Sequence, residues 1–440
     1  MIENITSVDC IIEARWIVPV VPRGVVYEHA AVVIAAGRIL SILPIAESRQ
    51  KYRSGQVYSL PDHALIPGLI NVHTHAAMSL MRGIADDLPL MSWLNDHIWP
   101  AESRTLSERF VRDGTLLACA EMLRGGVTCF NDMYFFPQAA AESVIRSGMR
   151  ACLGLVILDF PSPYAADAED YLHKGFVARD AIRAHERITT CLAPHAPYTV
   201  SDRSFGRIMT YADQLGLGLH LHLHETMDEI RQSESQYGLR PIQRLASLGL
   251  LGPNLLATHC VHLTPGEIDI LSEQRCHVAH CPTSNLKLGS GIAPVASLLA
   301  SGINVGLGTD GAASNNRLDM FAEMRLAALL AKAQGDASSL PAAQVLEMAT
   351  LGGAKALGLD DQIGAIEPGK LADLVAVDFS VPDMQPCYDP VSHLVYVAGR
   401  EHVSHTWVAG ELRYARGSHD SIDEAELREI TTIWQSKLKS

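Results

Sequence analysis

Two histidines one residue apart close an apolar run, Ala64-Leu65-Ile66-Pro67-Gly68-Leu69-Ile70-Asn71-Val72-His73-Thr74-His75. Side chains alternate faces along a strand, so His73 and His75 project together from its end. Two imidazoles on one side can share a metal ion. A pair alone fits two solvated histidines equally well, so the reading turns on whether the chain supplies further donors. It does: Ala193-Pro194-His195, His220-Leu221-His222-Leu223-His224-Glu225, Thr258-His259, His280 and Gly306-Leu307-Gly308-Thr309-Asp310-Gly311 each end an apolar run. Period two places His220, His222 and His224 on one face and does not choose a ligand among them.

These residues need elements that bring them to one place. From residue 64 to 362, strand-like runs alternate with helix-like segments, the pattern of repeated β-α units. Eight strands are expected: Leu65–Val72, Thr128–Met133, Ala151–Val156, Thr189–Ala193, Leu217–His222, Leu255–His259, His277–His280 and Ile303–Gly308. Helices are expected over 105–125, 138–148, 173–186 and 201–215 between them, then Leu318–Gln334 and Pro341–Leu357 after the last strand. Eight parallel strands with intervening helices imply a closed (β/α)8 TIM-like barrel, whose functional groups gather at the C-terminal strand ends. Six of the eight strands end in a histidine or an aspartate, and the other two end near Asp132 and Asp159. So many donors at one rim point to a shared site.

The flanks differ. Val8–Ile12, Ala31–Ile34 and Arg38–Ile42 are rich in β-branched residues, with Ala36-Gly37 as a tight turn. Asp373–Val377, Leu394–Val397 and Val403–Val408 repeat that pattern, and 421–439 reads as an amphipathic helix with Ile422, Leu427, Ile430, Ile433 and Trp434 on one side. Residues 1–63 and 363–440 therefore form a small β-sandwich domain from both termini, around a catalytic barrel of 64–362.

The 440 residues are 48% hydrophobic and 19% charged, a packed globular composition. A net charge of −14 repels a phosphate backbone, which excludes a nucleic-acid polymer as partner but not a small nucleoside. The nine cysteines form no C-x-x-C pair, which suits a reducing cytoplasm. The stretch MIENITSVDC shows no basic start before an apolar core, so no signal peptide is expected, and no apolar run reaches membrane-spanning length. The expected protein is cytoplasmic, without membrane partners, and assembles as a homo-oligomer.

His-x-His after strand one, His-x-x-Glu on strand five, histidine after strand six and aspartate after strand eight resemble the amidohydrolase superfamily. Glu367-Pro368-Gly369-Lys370-Leu371-Ala372-Asp373-Leu374-Val375 resembles its return to the small β domain. Within it, HTHAAMSLMRGIADDLPLMSWL (73–94), HCVHL (259–263), PTSNLKLGSGIAPV (282–295) and GTDGAASNN (308–316) are most similar to the 5-methylthioadenosine/S-adenosylhomocysteine deaminases. The resemblance implies that His73, His75, His222 and Asp310 hold one divalent metal, Zn2+ first, with Fe2+ or Mn2+ using the same set. It selects His222 through the three-residue step to Glu225, leaving His220 deeper in the barrel and His224 at the rim.

The implied chemistry is hydrolytic deamination. Hydroxide generated at the metal attacks a ring carbon bearing an amino group, with Asp310 taking the water's proton. Glu225 protonates the neighbouring ring nitrogen, and His259 orients the hydroxide. Substrate contacts implied by resemblance are Glu102 to ribose hydroxyls and His195 near the base. Leu88, Met91 and Trp93 follow strand one and could line an apolar methylthio pocket, in a lid spanning 76–102. Residues 151–171 contain no Lys or Arg, where some family members carry arginines. That favours 5′-methylthioadenosine or adenosine over S-adenosylhomocysteine, whose carboxylate wants a cation. The alternatives are a guanine or s-triazine aminohydrolase or chlorohydrolase of the same superfamily, and a non-catalytic scaffold, which predicts missing metal residues.

Overall fold

The computed structural model describes residues 5–333 and 335–439. Met1–Asn4, Gln334 and Ser440, which end three of the spans expected above, lie outside the described residues. In chain order the strands of the two eight-stranded sheets are β1 (Cys10–Ile17), β2 (Tyr27–Ala35), β3 (Arg38–Pro44) and β4 (Val57–Pro67). Next come β5 (Leu69–Thr74), β6 (Val127–Tyr134), β7 (Arg150–Ile157) and β8 (Ile188–Pro194). They are followed by β9 (Leu219–Leu223), β10 (Leu255–His259), β11 (His277–His280) and β12 (Asn304–Leu307). The last four are β13 (Leu374–Asp378), β14 (Val403–Val408), β15 (Glu411–Ala415) and β16 (Ser418–His419).

Strands β5 to β12 lie side by side in sequence order, every pair parallel. The circle is drawn shut at the β5–β12 seam. Asp310 N donates to His73 O at 3.0 Å. Asn71 Nδ2 donates to Thr309 Oγ1 at 2.8 Å while Thr309 N donates to Asn71 Oδ1 at 2.9 Å. The amide and the hydroxyl are fully buried, so each satisfies groups that would otherwise be stranded from water. Helices such as Glu108–Arg124, Asp202–Leu215 and Met320–Lys332 cover the outside. Several begin with a side-chain cap, Ser107, Ser201 and Asp319 in these three.

Both ends of the chain build the second sheet, in the order β16-β15-β14-β13-β4-β1-β2-β3. The Ala36-Gly37 turn is real: both residues have positive φ, the conformation of a tight hairpin turn. It abuts the Ala409-Gly410 turn, so the two halves of the sheet face each other around Ile12, Ile34, Leu65 and Trp407.

Two expectations fail for identifiable reasons. Leu65–Val72 is not one strand. Leu65 to Pro67 belong to β4, and the chain pivots at Gly68 before entering the barrel; a Cβ on Gly68 would overlap the buried Thr128 side chain. Leu394–Val397 is not a strand. Pro390–Tyr396 is a helix, with the Asp389 carboxylate accepting from Val391 N at 2.9 Å and proline at the first turn. The cap and proline outweigh the β-branched run. The final helix, Glu424–Lys439, packs on the barrel helix Glu108–Arg124: Trp434 stacks edge-on to Phe110 at 5.1 Å and donates to Asp113 at 2.8 Å. Among the described residues no helix is long and apolar enough to cross a membrane.

Gly114 lies where the helix Glu108–Arg124 crosses the turn Ala76–Met81 that follows the His73/His75 strand, and a Cβ there would run into the Ala77 backbone. Gly114→Ala should therefore destabilise by about 1–3 kcal/mol through overpacking, although alanine is the better helix former. Thermal unfolding checks this, and a higher Tm would contradict it.

Candidate active site

His73 and His75 leave the end of β5 beside Asp310, which follows β12. His73 Nε2 lies 3.1 Å and His75 Nε2 3.2 Å from the same Asp310 oxygen, Oδ1. His222 on β9 completes the group, with ring centres 5.0 Å from His73 and 5.3 Å from His75. Donor atoms of His73, His75 and Asp310 lie within 4.8 Å of one another, and so do those of His73, His222 and His259.

The second nitrogen of each ring is committed elsewhere. His75 Nδ1 donates to Met133 O at 2.6 Å, and His222 Nδ1 donates to His195 O at 2.7 Å. Carbonyls only accept, so these bonds place the proton on Nδ1 and free Nε2 for a cation. His73 Nδ1 faces His220 Nε2 at 2.9 Å; Asn131 Nδ2 donates to His220 Nδ1 at 3.1 Å, so His220 Nε2 carries the proton and donates to His73 Nδ1. Burial pushes His73 down to about 4 and His222 well below the usual range, favouring the neutral form that ligates. At His75 burial acts the same way, but the Asp310 hydrogen bond and charge outweigh it and raise the ring to about 9. A cation at this point takes the place of that proton.

Asp310 is held firmly. Its Oδ2 accepts from Ser284 Oγ at 2.7 Å and Ser314 Oγ at 2.8 Å, and Oδ1 from Gly311 N at 2.8 Å. Burial opposes its charge, yet His73 and His75 hold the carboxyl well below the usual carboxylate range.

The structure separates the three histidines around β9. His222 joins the centre. His220 sits one step deeper, between His73 and Asn131. His224 turns away because β9 ends at Leu223 and His224 takes a left-handed φ of 54°. Its ring bonds His262 O at 3.1 Å and Ile242 N at 3.2 Å, so alternation breaks before the third member. Glu225 then comes back into the site, buried, with Oε2 3.7 Å from His259 Nε2. Burial raises its carboxyl above the ordinary value, which favours the protonated form. His259 is oriented by Asn285, whose Oδ1 accepts from Nδ1 at 2.8 Å.

A cavity opens over these groups. Its walls include Leu90, Trp93, Leu94 and Ile98 from one side, Leu158 and Phe160 from another, and His195, Tyr198, Glu102 and Tyr134. His195 lies 4.8 Å from the His222 ring, and burial pushes it down to about 3. Glu102 is buried and accepts from Tyr134 Oη at 2.7 Å; burial lifts its carboxyl to about 7 against that bond. No lysine or arginine is among the described residues of the lining. The free volume is ≈ 90 Å³, well under the roughly 300 Å³ of an ordinary ligand pocket.

The covering segment is helical, not a loop: Leu90–Trp93 runs through a π-turn, Leu94–Ile98, into Trp99–Thr105. The helical repeat turns Leu90, Trp93, Leu94 and Ile98 inward. Met91 is exposed and Leu88 packs outside the lining, so of the three apolar residues expected there only Trp93 lines the cavity. Ser284, Ser290, Asn285 and Ser314 were unassigned, although the stretches 282–295 and 308–316 contain them; their roles depend on which side chain each faces.

The Amidohydrolase family model matches residues 64–413. The chain is 48% identical over 439 residues to a 5-methylthioadenosine/S-adenosylhomocysteine deaminase of Teredinibacter turnerae, covering 99% of each. It is 46% identical to one of Saccharophagus degradans, covering 99% of this chain and 98% of that one. Among solved structures, an adenosine deaminase from Xanthomonas campestris with bound zinc superposes with a TM-score of 0.98 at 47% identity, covering 99% of this chain and 100% of the other. With the barrel, the rim donors and full-length similarity in agreement, the chain belongs to the amidohydrolase family, in its 5-methylthioadenosine/S-adenosylhomocysteine deaminase branch.

Proposed function

We propose that the protein deaminates an adenine nucleoside hydrolytically, converting 5′-methylthioadenosine to 5′-methylthioinosine and ammonia. The observation that carries this is the His73, His75, His222 and Asp310 cluster at the floor of an apolar cavity that also presents Glu102 and Glu225. The full-length similarity to named deaminases supports it.

Three imidazoles and one carboxylate suit a single divalent ion, zinc foremost and iron or manganese next. His73, His75, His222 and Asp310 would hold it, and the carbonyl-fixed rings of His75 and His222 fit that task. When bound, such an ion supplies the Lewis acidity that lets a water give up a proton at neutral pH. Asp310, kept charged by its neighbours, receives that proton and later passes it to the departing amino group. Glu225, whose protonated form burial favours, gives its proton to the ring nitrogen beside the attacked carbon, and recovers one from the new hydroxyl as the ring carbonyl forms. His259, braced by Asn285, orients the attacking water. Glu102 accepts ribose hydroxyls with the oxygens that Tyr134 leaves free, and His195 borders the base. The apolar lid residues Trp93, Leu94 and Ile98 exclude water.

The cavity selects against a charged tail. Leu158 and Phe160 occupy the wall after β7, and no cation in the lining meets a carboxylate. A cytoplasmic setting accords with nine unpaired cysteines, and a symmetric homo-oligomer belongs to the same reading.

On metal-characterised protein, 5′-methylthioadenosine and adenosine should be turned over with kcat/KM at least tenfold above S-adenosylhomocysteine, and guanine should release no ammonia. Equal or better S-adenosylhomocysteine turnover refutes the tail argument, and guanine turnover refutes the nucleoside reading. Glu225→Gln should keep one equivalent of metal while kcat drops about 10²–10⁴-fold. Asp310→Asn should abolish turnover. Full activity in either variant removes the role given to that residue.

A further inference from the structure

Glu225 must point its carboxyl at the reacting ring, yet that carboxyl is held by no close side chain among the described residues. Ser290 Oγ donates to it only at the long limit of 3.5 Å, and His259 Nε2 stands 3.7 Å away. Its aim is therefore set by the backbone that carries it. That backbone is the turn leaving β9, where His224 adopts the left-handed φ of 54° that L-residues avoid. On its carbonyl side the turn is pinned by Val261 N and His262 N, which donate to His224 O at 3.0 and 3.1 Å.

On its amide side stands one residue. Glu229 Oε1 accepts from His224 N at 3.0 Å, and Glu229 Oε2 accepts from Glu225 N at 2.9 Å. Glu229 is buried, 5% exposed. Its sequence position is that of a capping-box glutamate: Thr226 caps the helix Met227–Tyr237, and Glu229 is the third residue in. A capping-box glutamate reaches back to the cap residue's own amide. Here both oxygens are spent one and two residues further back, on the turn that delivers Glu225.

From this geometry we infer that Glu229 is a positioning residue for the deamination: its two carboxyl oxygens clamp two consecutive amides and so fix where the Glu225 carboxyl points. The inference rests on the proton-donor role proposed for Glu225.

The test is a double-mutant cycle on the full-length, metal-loaded enzyme with 5′-methylthioadenosine. Glu229→Gln keeps the shape but sets an NH2 against one backbone N–H. It should lower kcat at least tenfold, leave KM within threefold and retain one equivalent of metal. In a Glu225→Gln background the same change should alter kcat less than twofold, because the group being aimed is already gone; a merely structural residue would cost the same factor in both backgrounds. Should Glu229→Gln not accumulate as folded protein, Glu229→Asp, whose carboxylate is one methylene short, must give the same pattern. The inference is overturned if kcat of the single variant stays within twofold of the parent, if the loss is equal in both backgrounds, or if both substitutions unfold the protein or strip the metal. Full activity of Glu225→Gln would instead sink the proton-donor role itself, which separates the two failures.

Discussion

The seam between the first and last barrel strands is the constraint on which the rest depends. Asn71 and Thr309 exchange hydrogen bonds across it, and Asp310 N binds His73 O. Residues 237 positions apart are thereby brought to hydrogen-bonding distance, and three of the four donors, His73, His75 and Asp310, come from the two ends of the sheet. A buried amide–hydroxyl pair suits this task. Either group left alone would pay the desolvation cost of an unmet donor or acceptor, so the seam strongly prefers to be fully closed or not formed.

From that seam the polar order spreads outward through neighbours rather than through long side-chain reach. The carbonyls of Met133 and His195, from the ends of β6 and β8, fix the rings of His75 and His222. Two serines from the short helices Pro282–Lys287 and Ala312–Asn315 hold one oxygen of Asp310, and Asn285 braces His259. These groups are oriented by an adjacent piece of backbone or a short polar side chain. Such partners cannot swing far, and this is how a site is kept within the tolerance that its chemistry needs.

Much of this was legible in the sequence because a parallel barrel puts its strand ends at one rim, so listing the polar residues at strand ends lists the site. That listing holds His73, His75, Asp310 and the run from His220 to Glu225, the family resemblance picks His222 and Glu225 out of the run, and the structure gathers the five. What was not legible depended on turns. His224 departs from its strand's alternation because of one left-handed residue, and the Leu65–Pro67 run changes sheets at one glycine. Leu394–Val397 reads as strand by composition, but Asp389 and Pro390 start a helix ahead of it. The lid's inward face follows a helical repeat that apolar content alone does not reveal, which is why Met91 points outward while Leu94 and Ile98 point in. The braces escape for another reason: serine and asparagine are ordinary surface residues in sequence, and only their neighbours make them structural.

The tight enclosure of the cavity also bears on how concentration and affinity relate in this molecule. A space of ≈ 90 Å³ is small beside the roughly 300 Å³ of an ordinary ligand pocket. Were a ligand to enter only with the helical cover, from Leu90 to Thr105, displaced, encounter would belong to the population so displaced. If that population is about one molecule in ten, the apparent dissociation constant is about tenfold weaker than the intrinsic one. Changes confined to the outer face of the cover, touching neither metal donors nor ligand, would then alter apparent affinity by shifting how often the door stands open.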